Sequence, residues 1–393
     1  MDAPIVVQKY GGSSVADTER LQQVAARVAA TVATGRRVVV VVSAMGKTTD
    51  ELLGLAKRVS PAPPRRELDM LVSTGERITM ALLAMALHEL GLDAISFTGS
   101  QSGIITNDRH SGARIIEVRP VRLQDELERG RVVIVAGFQG MSYRREITTL
   151  GRGGSDTTAV ALAAALGAEC CEICSDVDGV YSADPRVVPE AQRIEQLGYE
   201  EMQLLAEHGA RVLNAQAVEW ARKAGIVLYA RATASRPDRG PVAETRVGGT
   251  PREERGAIAV SGSRHLTRVA VDGVATTALL ERLGDEGVVL RRTEVGVRTS
   301  VIFARDDLPD WSRIEARLAA LPGCVVDEIG AVTVVGTGTG SDPALLRRAL
   351  ALAAEAGAEA CSVDGGPLHL TLLVPSATVD ELTRILHRGL VAR

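Results

Sequence analysis

Short apolar runs alternate with helix-like segments over the first part of the chain. The run "RVVVVV" has polar residues on both sides, which is typical of a strand buried on both faces of a parallel sheet. Before it, apolar residues recur at helical spacing over 21–32, with Asp17 and Thr18 as candidate caps and Gly35 as a stop. Similar runs, "AISFTG", "RVVIVAGF" and "CCEICSD", each follow another helix-like segment. The pattern predicts an α/β fold with a central, mostly parallel sheet covered by helices.

The pattern changes near residue 234. The stretch "ASRPDRGPVAETRVGGTPREERG" is rich in Pro, Gly, Arg and Glu and lacks apolar periodicity, as a linker does. After it, short strands and helices follow one another in two similar βαββαβ-type sets. The sequence therefore predicts a first domain over 1–240, a linker over 241–265 and a pair of α+β units over 266–393.

Composition narrows the class of protein. A chain of 393 residues is too long for one ordinary hydrophobic core, so two or three domains are expected. A composition of 46% hydrophobic and 24% charged residues is typical of a globular protein. A formal net charge of −4 argues against general binding to nucleic acid or to an anionic membrane. No long uninterrupted apolar run or signal-like N-terminal segment is present, so we expect a cytoplasmic protein.

The cysteines and histidines do not suggest a metal site. Three of the five cysteines crowd together as Cys170, Cys171 and Cys174, and we expect reduced thiols on a buried strand rather than disulfides. The six histidines have no ligand-like spacing, so no protein-held metal is predicted.

Glycine and polar residues collect where the predicted strands end. The stretch "VVQKYGGSSV" places Lys9 and two glycines directly before a helix-like segment. Glycine lets the backbone approach an anion closely, and a helix N-terminus offers unpaired N–H groups. Four more such loops follow, "SAMGKTTDE", "AGFQG", "TTLGRGGSDTT" and "SDVDGVYSADPRVV". Because open α/β sheets bind ligands at the carboxyl ends of their strands, we predict a phosphate site here, with Lys9 as a solvent-facing cation.

Two other glycine motifs fit nucleotide loops poorly. The "GKT" at 46–48 lacks the upstream glycine of a Walker loop, since Val41 stands at that position. The "GTGTGS" at 336–341 ends in Ser341 where a dinucleotide fingerprint has its third glycine, so a tight strand-to-helix turn is the better interpretation.

In matching order and spacing, several segments resemble the aspartokinase family, of the amino acid kinase fold. They are "KYGGSSV", "SAMGKTTDEL", "STGERI", "FTGSQSGI", "AGFQG", "TTLGRGGSDTTAVALAAAL" and "SDVDGVYSADPRVVPEAQRI", within residues 4–233. The resemblance implies phosphorylation of the side-chain carboxylate of L-aspartate with Mg²⁺ and ATP, giving 4-phospho-L-aspartate. It also implies tandem C-terminal ACT domains, which are ferredoxin-like, bind lysine or threonine, and would join the chains of a homo-oligomer.

The resemblance implies a role for each matching residue. Lys9, Gly12 and Asp156 would carry catalysis. Aspartate would be bound by Thr49 at its reacting carboxylate, by Glu76 and Asp156 at its ammonium, by Arg152 at its α-carboxylate, and by Gly153. The residues implied in ATP binding are Lys9, Tyr10, Gly11, Gly12, Ser13, Ser43, Ser175, Asp176, Tyr181, Asp184, Arg186 and Arg211. Mg²⁺ would be held mainly by ATP oxygens, and no general base is needed because the acceptor carboxylate is already ionised near neutral pH.

The sequence also departs from the family. Arg211 in "GARVLNAQAV" replaces a lysine usual in the family, and "LNAQA" lacks a His-Pro pair. The segment "VAVDGVATTALLERL" lacks the DxPG turn and "VLRRTEVGV" lacks the QN pair of effector sites, so we expect weak or absent inhibition by lysine and threonine. Two other functions stay open, a kinase for a substituted aspartate analogue and a nonenzymatic ACT-type amino-acid sensor.

Overall fold

The protein folds into two compact units in the computed structural model. The residues it describes are 3–210, 212–235, 242–251, 254–305, 308, 311–358, 360 and 362–391. Of these, the first unit takes the residues within 1–180, 193–203 and 211–250, and the second takes those within 181–192, 204–210 and 251–393.

An eight-stranded sheet forms the centre of the first unit, with strand order β12-β14-β13-β9-β1-β2-β6-β3. The strands up to residue 250 are β1 (Ile5–Tyr10), β2 (Arg37–Val42), β3 (Ala94–Phe97), β4 (Ile104–Thr106), β5 (Ile115–Val118), β6 (Val132–Ala136), β7 (Gln139–Ser142), β8 (Ile147–Thr149), β9 (Cys170–Ser175), β10 (Val180–Tyr181), β11 (Arg193–Ile194), β12 (Gln196–Leu197), β13 (Val227–Ala232) and β14 (Glu244–Val247). The six neighbouring strands from β13 to β3 are all parallel. This confirms the predicted mostly parallel sheet.

Helices cover this sheet as the apolar periodicity predicted. The helices up to residue 224 are α1 (Thr18–Val32), α2 (Thr48–Val59), α3 (Arg65–Val72), α4 (Thr74–Glu89), α5 (Val121–Glu128), α6 (Gly154–Leu166), α7 (Tyr199–Glu207) and α8 (Ala215–Ala224), of which α1, α4, α5 and α6 pack on the main sheet. The Asp17 side chain caps α1 by accepting a hydrogen bond from Arg20 N at 2.8 Å. Val24 and Val28 of α1 pack on the valines of β2 in one core cluster. Burial on both faces explains why β2 is a continuous valine run.

The stretch Arg65–Glu89, which contains α3 and α4, is long and apolar enough to cross a membrane by those two measures alone. Half of its most apolar 18-residue segment is buried inside the protein. Leu83 and Leu87 lie fully buried in the cluster that contains β2. This is the packing of a helix that covers a sheet.

A smaller four-stranded sheet, in the order β5-β4-β7-β8, lies in the same unit and places β8 at its edge.

The three crowded cysteines lie on the buried strand β9, as predicted. Cys170, Cys171 and Cys174 are all buried and free. Burial raises the pKa of the Cys170 thiol to about 12 and that of Cys174 to about 11, so these thiols are protonated and inert near neutral pH.

The second unit is built on a six-stranded antiparallel sheet, in the order β16-β17-β15-β18-β20-β19. Its strands are β15 (Ala259–Asp272), β16 (Leu290–Glu294), β17 (Arg298–Ala304), β18 (Val325–Val335), β19 (Ser362–Gly366) and β20 (His369–Val374). Its helices are α9 (Thr276–Glu286), α10 (Trp311–Ala319), α11 (Pro343–Glu355) and α12 (Val379–Leu390). Two ferredoxin-like ACT-type halves share this sheet, one with a core against α9 and α10 and one with a core against α11 and α12.

The two halves share their long strands, which changes the predicted boundaries. β15 and β18 pair along nearly their whole length, from Ala259 opposite Val335 to Ala270 opposite Val325. The start of β15 therefore serves as the fourth strand of the C-terminal half, although it precedes the N-terminal half in sequence. Residues 241–265, predicted as a linker, contain β14 of the main sheet and the start of β15. Because this segment is rich in Pro, Gly and charged residues, its sequence predicted a linker and not these two strands.

Candidate active site

Lys9 and Asp156 meet at the carboxyl edge of the main sheet. Lys9 Nζ lies 2.7 Å from Asp156 Oδ1, and the two side chains are only 12% and 11% exposed. Lys9 is the penultimate residue of β1, and Asp156 lies in the first turn of α6, where the helix dipole favours a negative charge. The prediction that Lys9 faces solvent was wrong, because this contact draws its side chain inward.

The loops after β1 and β2 pack directly against each other. A β-carbon on Gly12 would lie 2.9 Å from the Ala44 carbonyl oxygen and 3.2 Å from that of Gly46. Gly46 N in turn donates to Gly12 O at 3.0 Å, and Ser43 N donates to Tyr10 O at 3.1 Å. Only glycine fits at position 12, so the two loops form one continuous surface beside Lys9.

Tyr10 does not face this surface with its side chain. The phenol is fully buried in the core cluster that contains β2 and donates to Gln8 Oε1 at 3.1 Å. Burial also holds the pKa of the phenol well above its usual value. The implied ATP contact of Tyr10 is therefore limited to its backbone.

Glu76 is a buried acid at the start of α4. Its side chain reaches back to the β2 loop, where Oε1 accepts a hydrogen bond from Ala44 N at 3.3 Å. Among the described residues, its buried Oε2 has no hydrogen-bond partner. Burial raises the pKa of this carboxyl to about 7. Such a carboxylate is suited to a cationic ligand that supplies the missing donor.

Thr49 and Ser13 lie near the same two loops. Thr49 is in the first turn of α2, half-buried, and Gly75 of α4 packs on the neighbouring Thr48 and on Ala44. Ser13 is exposed in the short turn after β1. The sequence prediction that these loops share one sheet edge is consistent with this packing.

Arg152 lies in a loop between β8 and α6 that is held by its neighbours. Gly151 and Gly153, on either side of it, have left-handed backbones with φ of +78° and +72°. Asn214 Nδ2 donates to Arg152 O at 3.2 Å, and its amide packs so closely on Gly153 that a β-carbon there would clash. The Asn214 Oδ1 also caps α8 by accepting from Gln216 N at 2.9 Å.

Sequence reasoning missed Asn214 as a site-building residue. It lies in "LNAQA", a segment noted above only because it lacks the His-Pro pair of the family. The signal was present, because an asparagine directly before an amphipathic helix is a strong cap candidate.

The carboxyl end of β9 is tied to the first loop through Thr233, which sequence reasoning also missed. Thr233 Oγ1 lies 2.6 Å from Ser14 Oγ and donates to Ser175 O at 2.9 Å. Thr233 N donates to the same carbonyl at 2.7 Å. Ser175 is half-buried and the adjacent Asp176 is exposed. No local pattern identifies Thr233, since its contacts lie far away in sequence.

The remaining nucleotide-site candidates fall in the second unit or outside the described residues. Tyr181, Asp184 and Arg186 belong to the 181–192 segment of the second unit. Arg186 Nη2 lies 2.7 Å from Asp184 Oδ2, and the Arg186 side chain is 83% exposed. The Ser182 hydroxyl of this segment contacts His387 Nε2 on α12 at 2.9 Å. Arg211 lies outside the described residues.

The site of the first unit brings together the cation of Lys9, the acids Asp156 and Glu76, and glycine loops, with Arg152 in the loop before α6. Lys9 can contact an anion while paired with Asp156, because an ammonium has three donors. Among the described residues, no group of three His, Cys, Asp or Glu side chains could hold a metal ion. The arrangement can neutralise and orient a phosphoryl group while acids bind an amine.

The fold and this site define a member of the amino acid kinase family, whose sequence profile matches residues 4–229. The aspartokinase of Mycolicibacterium smegmatis is 43% identical over 407 residues, covering 98% of this chain and 96% of that protein. The aspartokinase of Geobacillus stearothermophilus is 42% identical, covering 98% and 97%. The chain therefore belongs to the aspartokinase family.

A solved structure agrees on the fold. Escherichia coli aspartokinase III, crystallised in complex with aspartate and ADP, matches with a TM-score of 0.84 at 24% identity. The match covers 98% of this chain and 99% of that one. It extends over both the parallel-sheet unit and the ACT-type unit.

Proposed function

We propose that this protein transfers the γ-phosphoryl group of ATP to the side-chain carboxylate of L-aspartate, giving 4-phospho-L-aspartate. The observation that carries the proposal is the approach of Lys9 Nζ to 2.7 Å from Asp156 at one sheet edge. That pair combines a cation for the phosphoryl group with an acid in the first turn of α6, the helix that follows the Arg152 loop. Membership of the aspartokinase family supports this choice of acceptor.

Phosphoryl transfer to a carboxylate depends on positioning and on neutralising charge. Lys9 would contact the transferring phosphoryl oxygens, and the backbones of Gly11, Gly12 and Ser13 would donate to the ATP phosphates. Asp156 keeps the ammonium of Lys9 oriented in the free protein. The acceptor carboxylate is ionised near neutral pH, so the reaction needs no proton-abstracting side chain.

Aspartate recognition would use the charges around the phosphate loop. Arg152 would bind the α-carboxylate through its planar fork of donors. Glu76 and Asp156 would bind the ammonium, which would supply the donor that Glu76 Oε2 lacks among the described residues. Thr49, near the β2 loop, would hold the reacting carboxylate, and Gly153 would leave room beside Arg152.

The remaining nucleotide contacts are proposed at Ser43, Ser175 and Asp176 in the first unit. For Tyr181, Asp184 and Arg186, a nucleotide contact stays a prediction from the family resemblance. Mg²⁺ would be carried mainly by the ATP oxygens, since it retains several waters and needs few protein ligands. The exposed Asp176 carboxylate fits such a loosely held ion better than a closed protein site.

We also infer that the ACT-type unit responds weakly to lysine and threonine and joins chains into a homo-oligomer. In the turn after β15, Gly273 N already donates to Val297 O at 2.8 Å. An effector amino acid would have to compete for this donor. The missing DxPG and QN signatures support the same inference.

An ATP-dependent hydroxamate assay tests the main proposal, because hydroxylamine traps an acyl phosphate. We expect product with L-aspartate and ATP, and loss of product when either is omitted. A substituted aspartate that reacts at least about tenfold faster would favour the analogue kinase. Ligand binding by calorimetry without turnover of any acidic amino acid would favour the sensor.

A further inference from the structure

A buried carboxylate lies beneath the loop that carries Arg152. Asp69 of α3 has a relative exposure of 0%. A buried charge is stable only when donors surround it. Asp69 has four such contacts: Thr149 Oγ1 donates at 2.6 Å, Ser111 N at 3.1 Å and Ser111 Oγ at 3.4 Å, and His110 Nδ1 lies 2.7 Å away.

These donors come from two short segments, a turn at 110–112 and the strand β8, which also pairs with β7. Thr149 ends β8, a three-residue strand at the edge of the small sheet. Ser111 lies in a turn and has a left-handed backbone with φ of +58°, a strained conformation for a residue other than glycine. Asp69 thus compensates the strain of the turn and anchors the strand.

The same turn and strand are also joined by backbone bonds. Gly112 N and Ala113 N donate to Thr149 O at 3.0 and 2.8 Å. A β-carbon on Gly151 would lie 3.7 Å from Gly112 Cα, so the turn touches the start of the Arg152 loop. The cluster of Asp69, His110, Ser111 and Thr149 therefore lies at the start of that loop, and Asn214 contacts the loop further along, at Arg152 and Gly153.

Two left-handed glycines flank Arg152, and glycine has little conformational preference of its own. The course of the backbone at Arg152 therefore depends on what holds the loop at its two ends. The cluster under Asp69 holds the strand end that leads into the loop. A displacement of even a fraction of an ångström there would move the fork of donors away from a bound carboxylate.

We propose that Asp69 is a positioning residue for aspartate binding, acting through Thr149 on the Arg152 loop. The inference rests on the proposed function, in which Arg152 binds the α-carboxylate. Asp69 itself contacts no substrate in this arrangement. Its role is to fix the strand end from which the loop starts.

Two neighbouring threonines of β8 provide a matched test. Thr149→Val removes the hydroxyl that donates to Asp69 and keeps the shape of the side chain. Thr149→Ser keeps that hydroxyl. Thr148→Val removes an equally buried hydroxyl on the other face of the strand, which contacts Thr106 Oγ1 at 2.6 Å and not Asp69.

We expect Thr149→Val to raise the KM for aspartate about tenfold or more, with the KM for ATP and kcat within about threefold. Thr149→Ser should stay within about threefold of the natural protein in all three constants, and Thr148→Val should leave both KM values in place. Asp69→Asn is the second variant and should raise the aspartate KM in the same way. Thermal unfolding of each variant shows that the enzyme assayed is folded.

An unchanged aspartate KM in both Thr149→Val and Asp69→Asn would overturn the inference. An equal rise in Thr148→Val would overturn it too, because the effect would then be general loosening of the strand. The proposed function is judged separately, by whether the natural protein forms any aspartate-dependent acyl phosphate in the same assay.

Discussion

Lys9 at the end of β1 and Asp156 at the start of α6 form an ion pair of 2.7 Å in a position that is nearly closed to solvent. Removing the cation would leave a shielded carboxylate without its partner. We therefore expect each side chain to have two roles, the proposed one in the chemistry and one in the stability of the sheet edge.

Lys9→Met should abolish phosphoryl transfer, with a loss of at least about a thousandfold, because no other cation is expected at the transferring group. It should also lower the free energy of unfolding by about 2–4 kcal/mol, since Asp156 would be left unpaired. The double variant Lys9→Met with Asp156→Asn should recover most of that stability and none of the activity. Denaturant unfolding and the hydroxamate assay measure the two effects. Full stability of Lys9→Met would show that the pair contributes nothing to folding.

Glu76 should make aspartate binding depend on pH. Burial raises the pKa of its carboxyl to about 7, and only the ionised form can bind an ammonium. The KM for aspartate should therefore rise by up to about tenfold per pH unit below 7 and level off above it. Steady-state kinetics from pH 6 to pH 9 check this. In Glu76→Gln the KM should be high throughout, and a pH profile identical to that of the natural protein would remove Glu76 from the proposal.

A rise in pH should favour aspartate binding, but through the same Glu76 carboxyl it should lower the stability of the folded protein. Because its pKa is higher in the folded state than in the unfolded state, the folded protein binds more protons between these two values, and stability falls as the pH rises towards 7. Glu76→Gln should therefore raise the unfolding temperature at pH 8 relative to the natural protein and change it much less at pH 5. An increase of the same size at both pH values would mean that burial of the charge is not the cause.

Thr233 should affect ATP and not aspartate. Its hydroxyl links Ser14 in the first loop to the carbonyl of Ser175. Thr233→Val should raise the KM for ATP about three- to tenfold by releasing both loops, since each lost hydrogen bond contributes about 1 kcal/mol. Thr233→Ser should restore the natural value. Initial rates at varied ATP with saturating aspartate, and at varied aspartate with saturating ATP, give the two KM values. An increase in the aspartate KM alone would contradict the prediction.

Lysine and threonine should inhibit weakly. With Gly273 N engaged by Val297 O and the usual effector signatures absent, we expect more than half of the activity to remain at about 1 mM of either amino acid. Dose–response curves at subsaturating aspartate are the measurement. Half-inhibition below that concentration by either amino acid would refute the inference of weak feedback.

Much of the architecture was readable from local sequence. The five valines of β2, the helical spacing before them and the glycines at strand ends act over a few residues, so the sheet type, the helix positions and the glycine loops at the strand ends could be predicted. The same short-range signals misjudged 241–265, because Pro, Gly and charged residues hide strands whose pairing partners lie far along the chain.

The sequence by itself determined the alternation of strands and helices and the polar loop at Lys9, because burial pattern and backbone freedom are properties of neighbouring residues. Only the tertiary structure decided that Lys9 is shielded from solvent in an ion pair with Asp156 and that Glu76 is buried with a raised pKa. It also decided that Asp69 accepts hydrogen bonds from two segments distant in sequence. Those features depend on strand order and side-chain packing, which bring together groups that no local pattern connects.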